Sequence, residues 1–146
     1  MSQANVELVR SLMPGSEVDL VALFTADDVW EPLVEAVRPL VDPGFFAVQH
    51  VPGSEPSTHD GLDGFRANWL DWLAPWASYR TEIEQLIDAG ESVVAIVCDY
   101  GRREPGAPEV RMKTATVWTL RGGLIVRADF YPGGHADALA SVGLEG

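Results

Sequence analysis

The chain has 146 residues, 47% of them apolar, which is enough for one globular core. Ten basic residues against 22 acidic ones leave a formal net charge of −12, which repels nucleic-acid phosphates and anionic lipid surfaces. No stretch approaches the roughly 20 consecutive apolar residues of a membrane span, and the opening MSQANVELVR lacks a basic segment followed by an apolar one; a cytoplasmic protein with neither nucleic acid nor membrane as partner is the expectation.

Ser2 or Asn5 offers the cap for a first helix in which Val6, Val9 and Leu12 or Met13 recur at helical spacing, and MPGS at 13–16 stops it. Ser16 with Asp19 three residues on is a variant capping box opening a second helix through VDLVALFTA. DDVWEPLVEAVRPLV, residues 27–41, repeats the pattern behind an aspartate cap. The signal changes at DPGFFAVQHVPG, where aromatic and β-branched residues between Pro-Gly pairs predict a short strand at about 45–51. A polar loop, HVPGSEPSTHDG, follows with His50 and His59. From Asp63 the stretch DGFRANWLDWLAPWASY places Phe65, Trp69, Trp72 and Trp76 on one face of a helix, as core or as the roof of a cavity.

After residue 79 the pattern becomes strand-like: YRTEIEQLIDAG, SVVAIVCDYGRR, EVRMKTATVWTL and LIVRADFYP, separated by the turn signals DAGE, EPGAP and RGG. Consecutive hairpins predict a strongly curved antiparallel sheet, and helices followed by strands give an α+β fold with the helices on one sheet face. The tail HADALASVGLEG adds a short helical turn. With no repeat, low-complexity tract or long linker, residues 1–146 read as a single domain. Cys98 has no second cysteine to bond and sits in an apolar run, which makes it a small buried hydrophobe.

If RGG closes a three-residue hairpin with a bulged glycine, Leu120 lies opposite Leu124, and Trp118 pairs with Val126, Thr116 with Ala128 and Thr114 with Phe130. A two-residue Gly-Gly turn would shift the register and send Asp129 to the other face. In SVVAIVCDYGRR both alternating sets, Val93 to Asp99 and Val94 to Tyr100, are largely apolar, so both faces need cover.

Three helices, a short strand, a helix opening in GLDGFRANWLDW and hairpin strands carrying VWTLRGGLIVRADFYP together resemble the nuclear transport factor 2-like superfamily. The similarity is to its SnoaL-like, ketosteroid-isomerase-like branch and spans nearly the whole chain. It implies a cone, the cystatin-like arrangement of a curved antiparallel sheet wrapped around N-terminal helices, with a pocket at the open end. It also implies a homodimer formed through the outer sheet face. Thr114, Thr116, Trp118 and Phe130 would then face the interior, together with Asp99, whose pKa desolvation would raise. Alternatively Asp99, at a strand end, reaches solvent or pairs with Arg102 or Arg103. The stretch AVQHVPGSEPSTHDG is similar to the one in ketosteroid isomerases where a strand ends in the general base, and His50 takes that position. Thr116 stands where that family has its oxyanion aspartate, Val9 about where it has its tyrosine, and Phe130 where the epoxide-hydrolase branch has its second acid.

Three functions follow as expectations. The first is a binding module for a small apolar or aromatic molecule, lined by Trp69, Trp72 and Trp76 from the helix and by Thr114, Thr116, Trp118 and Phe130 from the sheet. The second is an acid/base enzyme of isomerase, cyclase or dehydratase type, with His50 as general base or acid and Asp99 or Thr116 orienting a carbonyl or hydroxyl. The third is a catalytically silent dimerisation module. His59 and Asp60 read as turn and capping residues, and His135 as an exposed one. His50, His59 and Asp60 lack the fixed spacing of a metal site. Glycine pairs that sit in hairpins do not form a phosphate-binding loop, so neither metal nor cofactor is expected.

Overall fold

The computed structural model describes residues 3–144. Helices come first, as the periodicity requires: α1 (Gln3–Leu12), α2 (Leu20–Thr25) and α3 (Asp27–Val37). Asp19 caps α2, its side chain accepting from the Val21 amide at 3.1 Å. Asp27 and Asp28 occupy the first turn of α3 rather than its cap, which is Ala26. Asn5 lies inside α1, and Ser2, the other expected cap, falls outside the described residues.

Six strands follow, β1 (Val41–Gln49), β2 (Ser57–Asp60), β3 (Ser78–Ala89), β4 (Ser92–Arg102), β5 (Val110–Arg121) and β6 (Leu124–Pro132), with α4 (Gly61–Leu73) after β2 and α5 (His135–Ser141) at the end. They form one sheet in the order β2-β1-β6-β5-β4-β3. All neighbours run antiparallel except β1 and β6, which are parallel. The sheet is therefore mostly antiparallel and does not close. Two one-residue bulges bend it, one in β3 between Ile83 and Gln85 and one at the β5–β6 hairpin.

The hairpin differs from the three-residue turn expected. Arg121 faces Leu124 across a Gly122-Gly123 turn, with both glycines at positive φ, 60° and 80°. That turn alone would have sent Asp129 inward. The bulge at Val126 cancels the slip, so Leu120 faces Ile125, Thr116 faces Phe130 and Thr114 faces Pro132. Phe130 and Asp129 keep the faces expected of them, while Ile125, expected outside, joins the inner core at 1% exposure.

Two apolar clusters occupy the concave face. One gathers Val6, Val9, Phe45, Val93, Leu120 and Phe130. The other gathers Leu20, Phe24, Trp30, Leu73, Trp76 and Tyr79. Leu62, Phe65 and Trp69 of α4 pack against both. The outer face of β4 and β5 is equally apolar, and α5 covers it: Ala138 and Leu139 pack on Val94, Ile96, Ala115 and Val117. The cover that the two-sided strand demands is thus supplied within the chain. No described helix is long and apolar enough to cross a membrane.

Candidate ligand site in the cone

Where α4 crosses the sheet, the two clusters do not meet completely. They leave a cavity of about 360 Å³. Its walls come from α4 (Phe65, Asn68, Trp69, Trp72), from the inner positions of β4 and β5 (Asp99, Thr114, Thr116, Trp118), and from Phe130 of β6. Phe24 of α2 and the linker residues Met13, Pro14 and Val18 complete the enclosure. Trp69, Trp72 and Trp118 face inward yet remain only half-buried. The aromatic rings brace one another around the space: Phe24 stacks on Trp69 at 5.3 Å, and Phe130 meets Trp69 edge-on at 5.8 Å.

Asp99 is the only residue bearing a carboxylate or a cation among those lining this cavity. It is 3% exposed. Inner parity on β4 places it there, directly opposite Thr81 of β3. The Tyr79 hydroxyl donates to its Oδ2 at 2.6 Å and itself accepts from the Trp72 indole at 2.8 Å. Neither Arg102 nor Arg103 pairs with it: Arg102 lies near Glu109, and Arg103 covers the Trp76 ring. Burial pushes the Asp99 carboxyl above the ordinary carboxylate range, and the Thr81, Tyr79 and Thr114 hydroxyls partly offset this by favouring the charged form. Neither threonine completes a hydrogen bond to Oδ1, which has no partner among the described residues. Burial and the adjacent Asp99 together push the Tyr79 phenol up, so it stays a donor. With Oδ2 engaged by Tyr79, a proton taken up by Asp99 resides on Oδ1. The one free oxygen is therefore an acceptor when ionised and a donor when neutral.

Other polar groups on the wall include Asn68, Gln49 and Trp118. Asn68 donates to Gln49 at 3.1 Å, which satisfies both amides in part. The Trp118 Nε1–H is buried and, among the described residues, has no acceptor.

His50 lies elsewhere. Strand parity puts Phe45, Ala47 and Gln49 inside, and His50 follows Phe46 and Val48 to the other face. There its Nε2 meets Asp129 Oδ1 at 2.8 Å and its ring stacks flat on Tyr131 at 4.3 Å. Arg127 grips both oxygens of Asp129 at 2.7 and 2.8 Å. The structure thus does not bring His50 to Asp99 or to the cavity. Trp76 departs from expectation as well. Pro75 follows the Ala74 cap and α4 stops at Leu73, so Trp76 leaves the helical face and lies against Gly101, where a Cβ would come within 2.5 Å of its ring. Trp76 does not line the cavity. His59 bonds Ser57 at 3.1 Å in β2, and Asp60 takes the N-cap position of α4 without a side-chain cap bond. No cluster of three or more metal-ligating side chains exists among the described residues.

Sequence reasoning missed Tyr79, Thr81, Asn68 and Gln49. The first two carried a signal: in YRTEIE, Tyr79 and Thr81 alternate with Arg80 and share a face. The amides of Asn68 and Gln49 carried none.

Residues 18–128 match the model of the family described as the SnoaL-like domain. Among curated proteins none matches. Among solved structures, a proposed SnoaL-like polyketide cyclase from Jannaschia sp. CCS1 aligns with a TM-score of 0.66 at 17% identity, covering 98% of this chain and 96% of that one. TerC, co-crystallised with polyporic acid, gives 0.61 at 15% identity over 93% and 96% of the two chains. A protein of ketosteroid isomerase-like fold from Catenulispora acidiphila DSM 44928, in complex with trimethylamine, gives 0.55 at 20% identity over 84% and 88%. At these identities the likeness is one of fold.

Proposed function

The chain belongs to the SnoaL-like domain family, and from that premise we propose that it binds a flat, largely apolar ring molecule inside the cone, with one polar group of that molecule against Asp99. The observation that carries this reading is the contrast within the cavity wall: aromatic rings on all sides and one buried carboxyl with a free oxygen. An apolar wall with a few placed polar groups is the usual make-up of a small-molecule site. That TerC, of similar fold, was co-crystallised with the small molecule polyporic acid supports a small-molecule site.

A second reading is favoured by the same carboxyl. An acid whose pKa is raised by burial, hydrogen-bonded to a permanent donor, is suited to moving a proton on or off a bound ketone or enol. In that reading Asp99 is the acid or base and Tyr79 holds its orientation. His50, fixed to Asp129 on the opposite face, serves the fold.

Tryptophan emission tests the binding reading, because Trp69, Trp72 and Trp118 border the cavity. Titration with 9-phenanthrol is expected to quench the emission saturably, while nucleotides and sugar phosphates leave it unchanged. Quenching by the phosphates and none by the ring compound would overturn it.

A further inference from the structure

Only two buried side-chain polar atoms among the described residues lack a hydrogen-bond partner, Asp99 Oδ1 and Trp118 Nε1. Both belong to residues that line the same cavity. Buried polar groups are rarely left unsatisfied, since a missing partner leaves the loss of hydration uncompensated. Both residues border the space that a molecule would fill, and a bound molecule reaching these two atoms would satisfy them. They also differ in kind: an indole N–H can only donate, whereas the carboxyl oxygen accepts when ionised.

Their separation is set by the sheet register. Trp118 lies opposite Val93 and Asp99 opposite Met112, so the two sit six β4 residues apart, roughly 20 Å of strand at about 3.3 Å per residue. Trp118 packs against the cluster around Val6 and Phe45, Asp99 touches Tyr79 of the other cluster, and the Phe65 and Trp69 rings lie between. Both residues border the cavity, and a molecule of several fused rings with a hydrogen bond at each end spans a gap of this order.

Resting on the binding reading above, we propose that the ligand is polar at both ends: a hydroxyl at Asp99, which donates to the ionised carboxyl or accepts from the neutral one, and a carbonyl oxygen at the far end, selected by the Trp118 Nε1–H, with an apolar ring body spanning the aromatic middle. Trp118 is then a specificity-determining residue. Its indole bonds the end of the ligand remote from the carboxyl.

Estrone, with a phenol at one end and a ketone at the other, is a suitable probe, alongside its analogues lacking the ketone or lacking the phenol. Wild-type protein is expected to bind estrone about 5- to 10-fold more tightly than the analogue without the ketone, the effect of one hydrogen bond. Trp118→Phe, which keeps an aromatic ring and removes the N–H, should weaken the two ketone-bearing probes by that factor more than it weakens the ketone-free analogue, whose own loss reads only the smaller ring area. A measurement without any variant runs alongside: the C=O stretch of estrone bound to the wild-type protein should fall to lower wavenumber than in an apolar solvent. Equal affinity for estrone and its ketone-free analogue, or an equal loss for all probes in Trp118→Phe, or an unshifted carbonyl band, would overturn the proposal while ring binding stands. If neither estrone, its analogues nor 9-phenanthrol binds, the binding reading falls with it.

Discussion

The two buried aspartates of the sheet, Asp99 at 3% exposure and Asp129 at 6%, are distinguished by their partners. Asp129 is held by a guanidinium fork and an imidazole, whereas Asp99 has only neutral donors around it. With its pKa raised in the fold, Asp99 keeps a proton at pH values where the unfolded chain, titrating near 3.9, has lost its own. Over that window the folded state binds more protons than the unfolded one. The contribution of Asp99 to stability is therefore fully present below the unfolded value and is lost as pH rises through the folded value. Asp99→Asn removes this dependence. The Tm of the variant relative to wild type should climb as pH rises above about 4, and a difference that stays flat above that pH would contradict the assignment. At His50 the expectation is opposite in kind. His50→Asn should cost about 1 kcal/mol in thermal unfolding, from the lost bond to Asp129 and the lost stack on Tyr131, and should leave the 9-phenanthrol affinity unchanged. A large loss of affinity with intact stability would return His50 to the binding machinery.

Among the elements, α5 carries an unexpected load. The apolar outer set of β4 calls for a cover, which the sequence leads one to seek in a second copy of the chain, and Ala138 and Leu139 provide it. Ile96→Glu consequently buries an unpaired charge beneath α5 and should destabilise the fold by about 3 kcal/mol or more. Denaturant unfolding checks this. A native-stability variant whose mass in sedimentation is half that of wild type would show that Ile96 serves an interface instead. Local periodicity made most elements legible: the three helices before β1, the Trp-rich helix and the four hairpin strands. What escaped it was non-local. The short strand β2, Ser57–Asp60, is polar throughout and exists by pairing with β1. The parallel contact of β1 with β6 joins residues some 80 positions apart. In FFAVQH both alternating sets are mixed in polarity, so only that pairing assigns His50 its face. The bulge at Val126 restored a parity that the Gly-Gly turn would have reversed, and no residue type in LIVRADF announces it. Alternation grouped Thr114, Thr116 and Trp118 on one face and Asp99 with Val93, Ala95 and Val97, but which face is inner came from the family resemblance, and Asp99 stayed open between the cone and solvent or an arginine partner.

Taken as a molecule, the chain combines a formal charge of −12 with a cavity whose only ionisable carboxylate is Asp99 and whose lining holds no lysine or arginine. Both the long-range field and the local wall disfavour anionic ligands, so among ring compounds of equal size the neutral hydroxylated ones should bind best and sulfonated ones worst. Competition titrations followed by tryptophan emission would show the reverse order if a cation from another surface governed binding. The central claim, a ring molecule seated in the cone with its polar group on Asp99, is tested most directly by a crystal structure of the protein with 9-phenanthrol. The account predicts the ring system between Trp69 and Phe130 and its hydroxyl within hydrogen-bond distance of Asp99 Oδ1. A probe found instead on the outer sheet face beside Arg127 and Asp129, with the cone filled by its own side chains, would contradict it.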